Sequence, residues 1–422
     1  MQTLKLFIFQ LILFINAPIC YAIFFALISK KNTPKKYNIL VLSKPVFNND
    51  IESIAKISNE LSFTFFPRLL LSKICSKYIS NFDELNDFNY HENVNKEDKN
   101  ILKLRKKMFL IFYYYTKLIK VDAVVSGNFV YTQIQELLIS LKDLKIPSIV
   151  IYKEGMLPII KFKDVKSFLY KSKVFRADLI LFYNDLIKDA VLKADIKGIN
   201  PRKTKVIGIP RFDEYFNHNS KPNKIKITLF SFEPTEKSNY LVDDKSKLKL
   251  FHESVVKFHK LFAEFILKNP HFELVVKTKP SKKSIKFAKK VFASYDNILG
   301  NRLSLSSEIN SESLIKESKY IVGFSSTTLI EGLLLDRIII CPKFDYSIIS
   351  PKNDLIYPYD SLVNRVDNLT ELSSLIHNGG TKSSKFIRDK NKFIKERIYK
   401  FDGKSSKRSE KYIIEKIKEY KN

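Results

Sequence analysis

From Leu6 to Ser29 the chain reads LFIFQLILFINAPICYAIFFALIS, 24 residues without a charge. After a cluster of lysines the pattern changes, and short β-branched or aliphatic runs alternate with longer stretches of helical periodicity. That alternation is the signature of βαβ units and a parallel sheet. In the first half it predicts strands at Asn38–Ser43, Val121–Ser126, Ser148–Tyr152, Asp178–Phe182 and Lys205–Ile209. Residues 83–100 are polar and predict a surface loop, and Asn217–Lys224 (NHNSKPNK) has linker composition. Beyond it, strands are predicted at Ile225–Phe230, Phe272–Lys277, Lys319–Phe324 and Arg337–Cys341, with helices over 247–268, 284–293 and 311–318. Helical patterning also fills 383–422, from where the chain can return to brace the first domain.

The expected architecture is therefore α/β, with two Rossmann-like domains facing a cleft, 36–216 and 225–382, joined by a linker at 217–224. Helices at 383–422 follow, and residues 1–30 form a membrane-anchoring helix in front. A chain of 422 residues, 45% hydrophobic, suits two domains of ordinary size. In such folds ligands collect at the carboxyl ends of the strands.

About 20 apolar residues are enough to cross a bilayer. Lys30, Lys31, Lys35 and Lys36 follow the apolar segment, against Lys5 alone before it. The positive-inside bias then places the body of the protein in the cytoplasm, at the inner membrane. Gln10, Asn16 and Pro18 interrupt the segment, so a kinked span or a shallow re-entrant anchor also fits. The alternative is a buried first helix of the globular fold.

Charge changes this picture little. The net charge is +29, but 62 of the 73 basic residues are Lys, scattered through every segment. An AT-biased genome, an anionic membrane surface or phosphate-bearing substrates each account for it. No basic-helix, zinc-finger or aromatic RNA-binding pattern accompanies the charge, so nucleic acid is not an expected partner. Cys20, Cys75 and Cys341 show no CxxC spacing, which suits a reducing compartment. The six histidines form no HxH or HExxH spacing, and no metal site is expected; His252 and His259, two turns apart, read as solvated. The absence of GxSxG and Walker-type loops sets aside serine hydrolases and ATPases.

Five segments carry candidate chemistry. In SKYIVGFSSTTLIEGLLLDRIIICP (Ser318–Pro342) a strand ends at Gly323 and Phe324, and Ser325, Ser326, Thr327 and Thr328 open a helix. Hydroxyl caps, unpaired first-turn amides and the positive dipole end together suit a diphosphate. Glu331, one turn in, is placed to accept hydrogen bonds from ribose hydroxyls; the alternative is an ordinary helix cap. In KTKVIGIPRFDEYF (Lys203–Phe216), Arg211 offers a bidentate phosphate contact, or else simply pairs with Asp213 across a hinge turn. Lys277 and Lys279, at a strand end, can neutralise a donor phosphate, with surface chance as the alternative. Lys153, Glu154 and Gly155 end another strand, and Glu154 is a candidate general base toward an acceptor hydroxyl or an exposed turn glutamate. Gly127 and Asn128 end a third and form a candidate acceptor turn.

These segments resemble the GT-B-type enzymes of bacterial surface carbohydrate biosynthesis, namely capsule and lipopolysaccharide glycosyltransferases and the CDP-glycerol glycerophosphotransferases. GIPRFD (208–213) is similar to the group's G-x-P-R-x-D turn, and FSSTTLIEG (324–332) to its S-S-T-x-x-x-E donor segment. YKEG (152–155) resembles the first-domain K-E-G turn, and FELVVKTKP (272–280) stands where the family has a strand ending in K-x-H-P. Two departures matter. Lys279 replaces the family histidine, and Gly323-Phe324 stand where glycerophosphotransferases have aspartate-tyrosine. The resemblance implies a nucleotide-activated donor held by Ser325, Ser326, Thr327 and Glu331, acceptor chemistry at the first domain's strand ends, and no cofactor or obligatory metal. The expected activity is transfer of a sugar from a nucleotide sugar to a glycan or lipid-linked precursor. A glycerophosphotransferase, a nucleotide-sugar 2-epimerase and a non-catalytic assembly factor remain as alternatives.

Overall fold

Strands flanked on both faces by helices read as near-continuous apolar runs, because neither face meets water. YNILVL, SIVIY and LILF are such runs, and in the computed structural model each is a buried strand of a parallel sheet. The structure describes residues 2–42, 45–85, 89–90, 98–158, 174–218, 221–234, 242, 244–345, 348–380 and 383–422. Two units divide the chain. Unit 1 comprises Met1–Gly155, Phe162–Asp213 and Glu396–Asn422, and unit 2 comprises Met156–Lys161 and Glu214–Lys395.

Unit 1 holds a seven-stranded sheet in the order β1-β3-β2-β4-β5-β6-β7. The strands are β1 Lys30–Lys31, β2 Tyr37–Leu42, β3 Leu61–Phe66, β4 Ala123–Ser126, β5 Ser148–Tyr152, β6 Leu179–Phe182 and β7 Thr204–Val206. All neighbours run parallel except β1 against β3. Its helices include α1 Gln2–Ile15, α2 Pro18–Ile28, α3 Pro45–Ile57, α4 Lys99–Leu118, α5 Gln135–Asp143 and α6 Asp185–Lys193. Chain order reverses between β2 and β4, so the switch point lies beside Gly127.

The C-terminal helix, Ser405–Lys421, also belongs to unit 1. Its N-cap, Lys404, supplies no side-chain cap; the Asp213 carboxylate accepts instead from the amides of Ser405 (3.0 Å) and Ser406 (2.6 Å). Arg408 donates to the Ile207 carbonyl at 2.7 Å, and Lys421 pairs with Asp122 at 2.8 Å.

The N-terminal segment departs from the expected anchor. Asn16 takes a left-handed backbone (φ 53°) and Pro18 opens α2, so the N-terminal segment breaks into helices of 14 and 11 residues. Among the described residues no helix is long and apolar enough to cross a membrane. One face of the pair instead enters the core of unit 1. Phe9, Ile12, Leu13, Tyr21, Ala22, Phe24 and Phe25 are buried with Leu40, Leu42, Phe66, Met108 and Phe112. The Phe25 and Phe66 rings lie 4.8 Å apart, and each such ring contributes about 2 kcal/mol by leaving water.

Unit 2 holds a six-stranded, wholly parallel sheet in the order β10-β9-β8-β11-β12-β13. Its strands are β8 Asn223–Phe230, β9 Glu273–Lys277, β10 Leu303–Ser306, β11 Ser318–Val322, β12 Ile338–Pro342 and β13 Asn364–Val366. The helices are α7 Leu248–Lys268, α8 Lys282–Phe292, α9 Ser311–Glu317, α10 Thr327–Leu334, α11 Leu369–Asn378 and α12 Ser384–Phe393. This is the 3-2-1-4-5-6 order of a Rossmann sheet, whose switch point falls between β8 and β11.

The sequence pattern did not mark β1, β3, β10 or β13. Within the segment 83–100, residues 86–88 and 91–97 lie outside the described residues, but Tyr90 is buried and donates to Glu136 at 3.0 Å. The linker is described except for 219–220, and its last two residues already belong to β8.

Candidate active site

The sharpest sequence segment stands at the switch point of unit 2. β11 ends at Val322, and Gly323 donates to the Ile340 carbonyl at 3.1 Å, holding the turn to β12. Ser325 then takes a left-handed backbone, φ 44°, which a residue with a Cβ adopts at a cost of about 1–3 kcal/mol. Its hydroxyl donates to the Asn353 carbonyl at 3.3 Å. Ser326 is the N-cap of α10; its hydroxyl accepts from the Thr328 amide at 3.3 Å and lies 2.8 Å from the Thr328 hydroxyl. Residues 325–328 are half-buried, whereas Phe324 and Leu329 on either side are buried. A strained turn thus presents the start of α10 at the carboxyl edge of the sheet, while its flanks anchor it in the core.

Glu331 lies one turn into α10, and its carboxylate accepts from the Tyr215 hydroxyl at 2.6 Å. Tyr215 is buried, so the glutamate is oriented by a fixed donor. Sequence reasoning missed Tyr215, although it stands four residues after Arg211 in the turn already singled out.

Below the turn, His259 of α7 is fully buried and not solvated as expected. Its Nδ1 lies 2.8 Å from the Val255 carbonyl and its Nε2 3.1 Å from the Ser231 hydroxyl. The carbonyl can only accept, so Nδ1 carries a proton, and in the neutral ring Ser231 donates to Nε2. Burial pushes its pKa down to about 4. The Phe232 ring bridges, at 5.2 Å from His259 and 5.8 Å from Phe324. The missed signal was periodicity: position 259 falls inside the stripe Val255, Phe258, Phe262, Ile266.

Lys277 ends β9, and its ammonium donates to the carbonyls of Thr278 and Ser307, both at 2.9 Å. Burial holds its pKa below the ordinary lysine value. Lys279 is exposed. Unit 2 therefore places Ser325, Ser326 and Thr327 at the start of α10 and Glu331 one turn further in, while Lys277 and Lys279 stand at the end of β9, two strands away.

In unit 1, Gly127, Lys153 and Glu154 come together at the ends of β4 and β5. The Lys153 amide donates to the Gly127 carbonyl at 3.1 Å, and the Lys153 ammonium pairs with Glu154. A Cβ on Gly127 would stand 2.9 Å from the Phe47 ring, so only glycine lets α3 approach this closely. Asn128 is buried and its side chain accepts from Val130, which makes it a turn-forming residue. Glu154 itself is 40% exposed.

Arg211 does not pair with Asp213. Its guanidinium contacts both carboxylate oxygens of Asp50 at 3.2 Å, and its amide donates to the same carboxylate. Asp50 is fully buried and also accepts from the Tyr183 hydroxyl. Burial raises the Tyr183 pKa, the Asp50 charge raises it further, and Arg211 opposes both. The turn around it is equally engaged: Gly208 takes φ 84°, and a Cβ there would lie 2.4 Å from the Ser405 hydroxyl oxygen.

Among the described residues, no group of three His, Cys, Asp or Glu is arranged to hold a metal.

The family model for capsule polysaccharide biosynthesis proteins matches residues 242–344, the part of unit 2 that carries the Ser325–Glu331 turn. Among curated protein sequences none matches the chain. A structure from Listeria monocytogenes, described as a UDP-N-acetylglucosamine 2-epimerase, is similar with a TM-score of 0.54 at 12% identity, over 92% of this chain and 98% of that one. The UDP-GlcNAc 2-epimerase of Neisseria meningitidis, bound to UDP-GlcNAc, gives 0.48 at 13% identity, over 90% and 100%. The wall teichoic acid polymerase TagF gives 0.49 at 13% identity, over 100% and 98%. The Listeria likeness is one of fold. With the family match it bears out the resemblance read from the motifs, to surface polysaccharide biosynthesis enzymes built from two Rossmann-like units.

Proposed function

We infer that the protein is a glycosyltransferase that takes a nucleotide sugar as donor and extends a surface-polysaccharide precursor, a glycan or a lipid-linked acceptor. One observation carries the reading: the strained, half-buried Ser325–Thr328 turn opens α10 at the switch point of a Rossmann sheet. Aligned amides and a dipole end there favour a doubly anionic diphosphate. In the proposed reaction this turn stabilises the departing nucleoside diphosphate, and Glu331, oriented by Tyr215, accepts from the ribose hydroxyls. Glu154 is assigned to remove the acceptor proton, and no metal or other cofactor is assigned a step.

A screen of thermal stability against UDP-, GDP-, CDP- and CMP-linked compounds tests the donor class. A bound ligand at a hundred times its dissociation constant adds about 2.7 kcal/mol. The double variant Ser326→Ala, Glu331→Ala is expected to lose that stabilisation and all transfer while keeping its fold. Full activity in it would reject the site. The second reading is a nucleotide-sugar 2-epimerase, the activity named for the Listeria protein. It predicts turnover of a UDP-sugar with no acceptor present, whereas the transferase requires one.

A further inference from the structure

The two N-terminal helices carry more apolar surface than the core of unit 1 uses. On α1, Phe9, Ile12 and Leu13 point inward, while Leu4, Phe7, Ile8, Leu11, Phe14 and Ile15 are exposed, Phe14 to 86%. These positions recur at three- and four-residue intervals and form one outward face. On α2 the exposed residues are Ile19, Ile23 and Leu27, at four-residue intervals, opposite the buried Tyr21, Phe24 and Phe25. Clustered exposure of this kind marks an interaction surface, since monomeric soluble proteins expose such residues singly.

Charge identifies the partner. Before Asp50 the sequence holds Lys5, Lys30, Lys31, Lys35, Lys36 and Lys44 and no acidic residue. Lys5, Lys30, Lys31 and Lys36 are exposed. At the bend between the helices, the Lys107 ammonium donates to the Asn16 carbonyl at 2.7 Å and the Lys77 ammonium to the Leu13 carbonyl. The backbone carbonyls left open by the helix break are thus satisfied by cations. A second copy of this chain would bring two such lysine sets together, whereas an anionic bilayer neutralises them.

We propose that α1 and α2 form an in-plane seat on an anionic lipid surface, with the outward face in the acyl boundary and the lysines among the headgroups. Helices of 14 and 11 residues are about 21 and 16 Å long, too short for a hydrocarbon core of about 30 Å. An interfacial helix sinks only about 5–10 Å. This seat is independent of the enzymatic assignment.

Flotation of the full chain with phosphatidylcholine vesicles, alone or mixed with phosphatidylglycerol, tests the proposal. Binding is expected with the mixed vesicles, weakening with salt and with Lys30→Glu, Lys31→Glu. Phe7→Glu with Phe14→Glu is expected to weaken it more than about tenfold, at unchanged thermal stability because both positions are exposed. The chain contains no Trp, so Phe14→Trp gives a single reporter of depth. Quenching by lipids brominated near the headgroup end of the acyl chain supports an in-plane seat. Strongest quenching by lipids brominated at the chain end would overturn it in favour of a span. Failure to float, or a self-association that Phe14→Glu abolishes, would overturn the lipid assignment.

Discussion

Two strand-end turns, one in each unit, stand out in the sequence, and the structure treats them oppositely. In unit 1 the Gly208–Asp213 turn is engaged at almost every polar group. Arg211 is spent on Asp50, Asp213 caps the C-terminal helix, and Gly208 lies against Ser405. In unit 2 the Ser325–Thr328 turn has one hydroxyl on the Asn353 carbonyl and another on the Thr328 amide, and it stays half-buried, with Ser325 held in a strained backbone. A motif of charged and turn residues therefore reports a demand for precise geometry, which is as readily structural as chemical. Which of the two it is depends on partners far away in sequence.

The largest expected effect breaks the first turn. Removing Arg211 leaves the fully buried Asp50 carboxylate without its cation, and such a change costs about 3–5 kcal/mol. Arg211→Ala should therefore lower the urea midpoint sharply. If it leaves the midpoint unchanged and abolishes nucleotide binding, the contrast between the turns is wrong and Arg211 is a ligand group.

The next effect belongs to unit 2 alone. His259 has a folded-state pKa of about 4, below its ordinary value of about 6.5. The unfolded chain takes up the proton first, so the stability contributed by the neutral ring is present above about pH 6.5. It is lost as the pH falls toward about 4, amounting to about 3 kcal/mol at the acid end. Unfolding followed from neutral to acid pH should show this slope in the wild type and a shallower one in His259→Gln. Equal slopes would mean that the base of the turn is not built on a neutral imidazole.

Long aliphatic runs made the buried strands legible: Ser148–Tyr152 was placed residue for residue, because its apolar run ends sharply at Lys153. Short strands such as Asn364–Val366 carry too few residues to show a period. The N-terminal run was legible as apolar, but hydropathy does not distinguish a protein core from lipid, and here the two faces of α1 divide between core and exterior. Asp50 stands 161 positions before Arg211, beyond any local pattern, so only Asp213 was weighed as its partner. In the candidate site, Ser326 and Glu331 were legible because helix starts have a local grammar. Tyr215, 116 positions from Glu331, was not.

A smaller effect concerns the cap. Ser326→Ala removes the acceptor for the Thr328 amide and should cost about 1 kcal/mol of stability. If the turn holds a diphosphate, the same change should reduce nucleotide affinity in calorimetry by more than its effect on folding implies. A loss of stability with undiminished affinity would make unit 2's turn as purely structural as unit 1's.

The smallest expected change is the most discriminating. Tyr215→Phe keeps the buried ring and deletes one hydroxyl, whose bond to Glu331 is worth about 1 kcal/mol to a carboxylate that water can still reach. Thermal stability should fall no further than it does for Ser326→Ala. If Glu331 meets the ribose, losing this donor should lower affinity for a nucleotide about fivefold, since 1 kcal/mol is close to that factor. The matching 2′,3′-dideoxynucleotide lacks the hydroxyls in question and should lose little. Equal losses for both nucleotides would show that Tyr215 and Glu331 form only a structural pair.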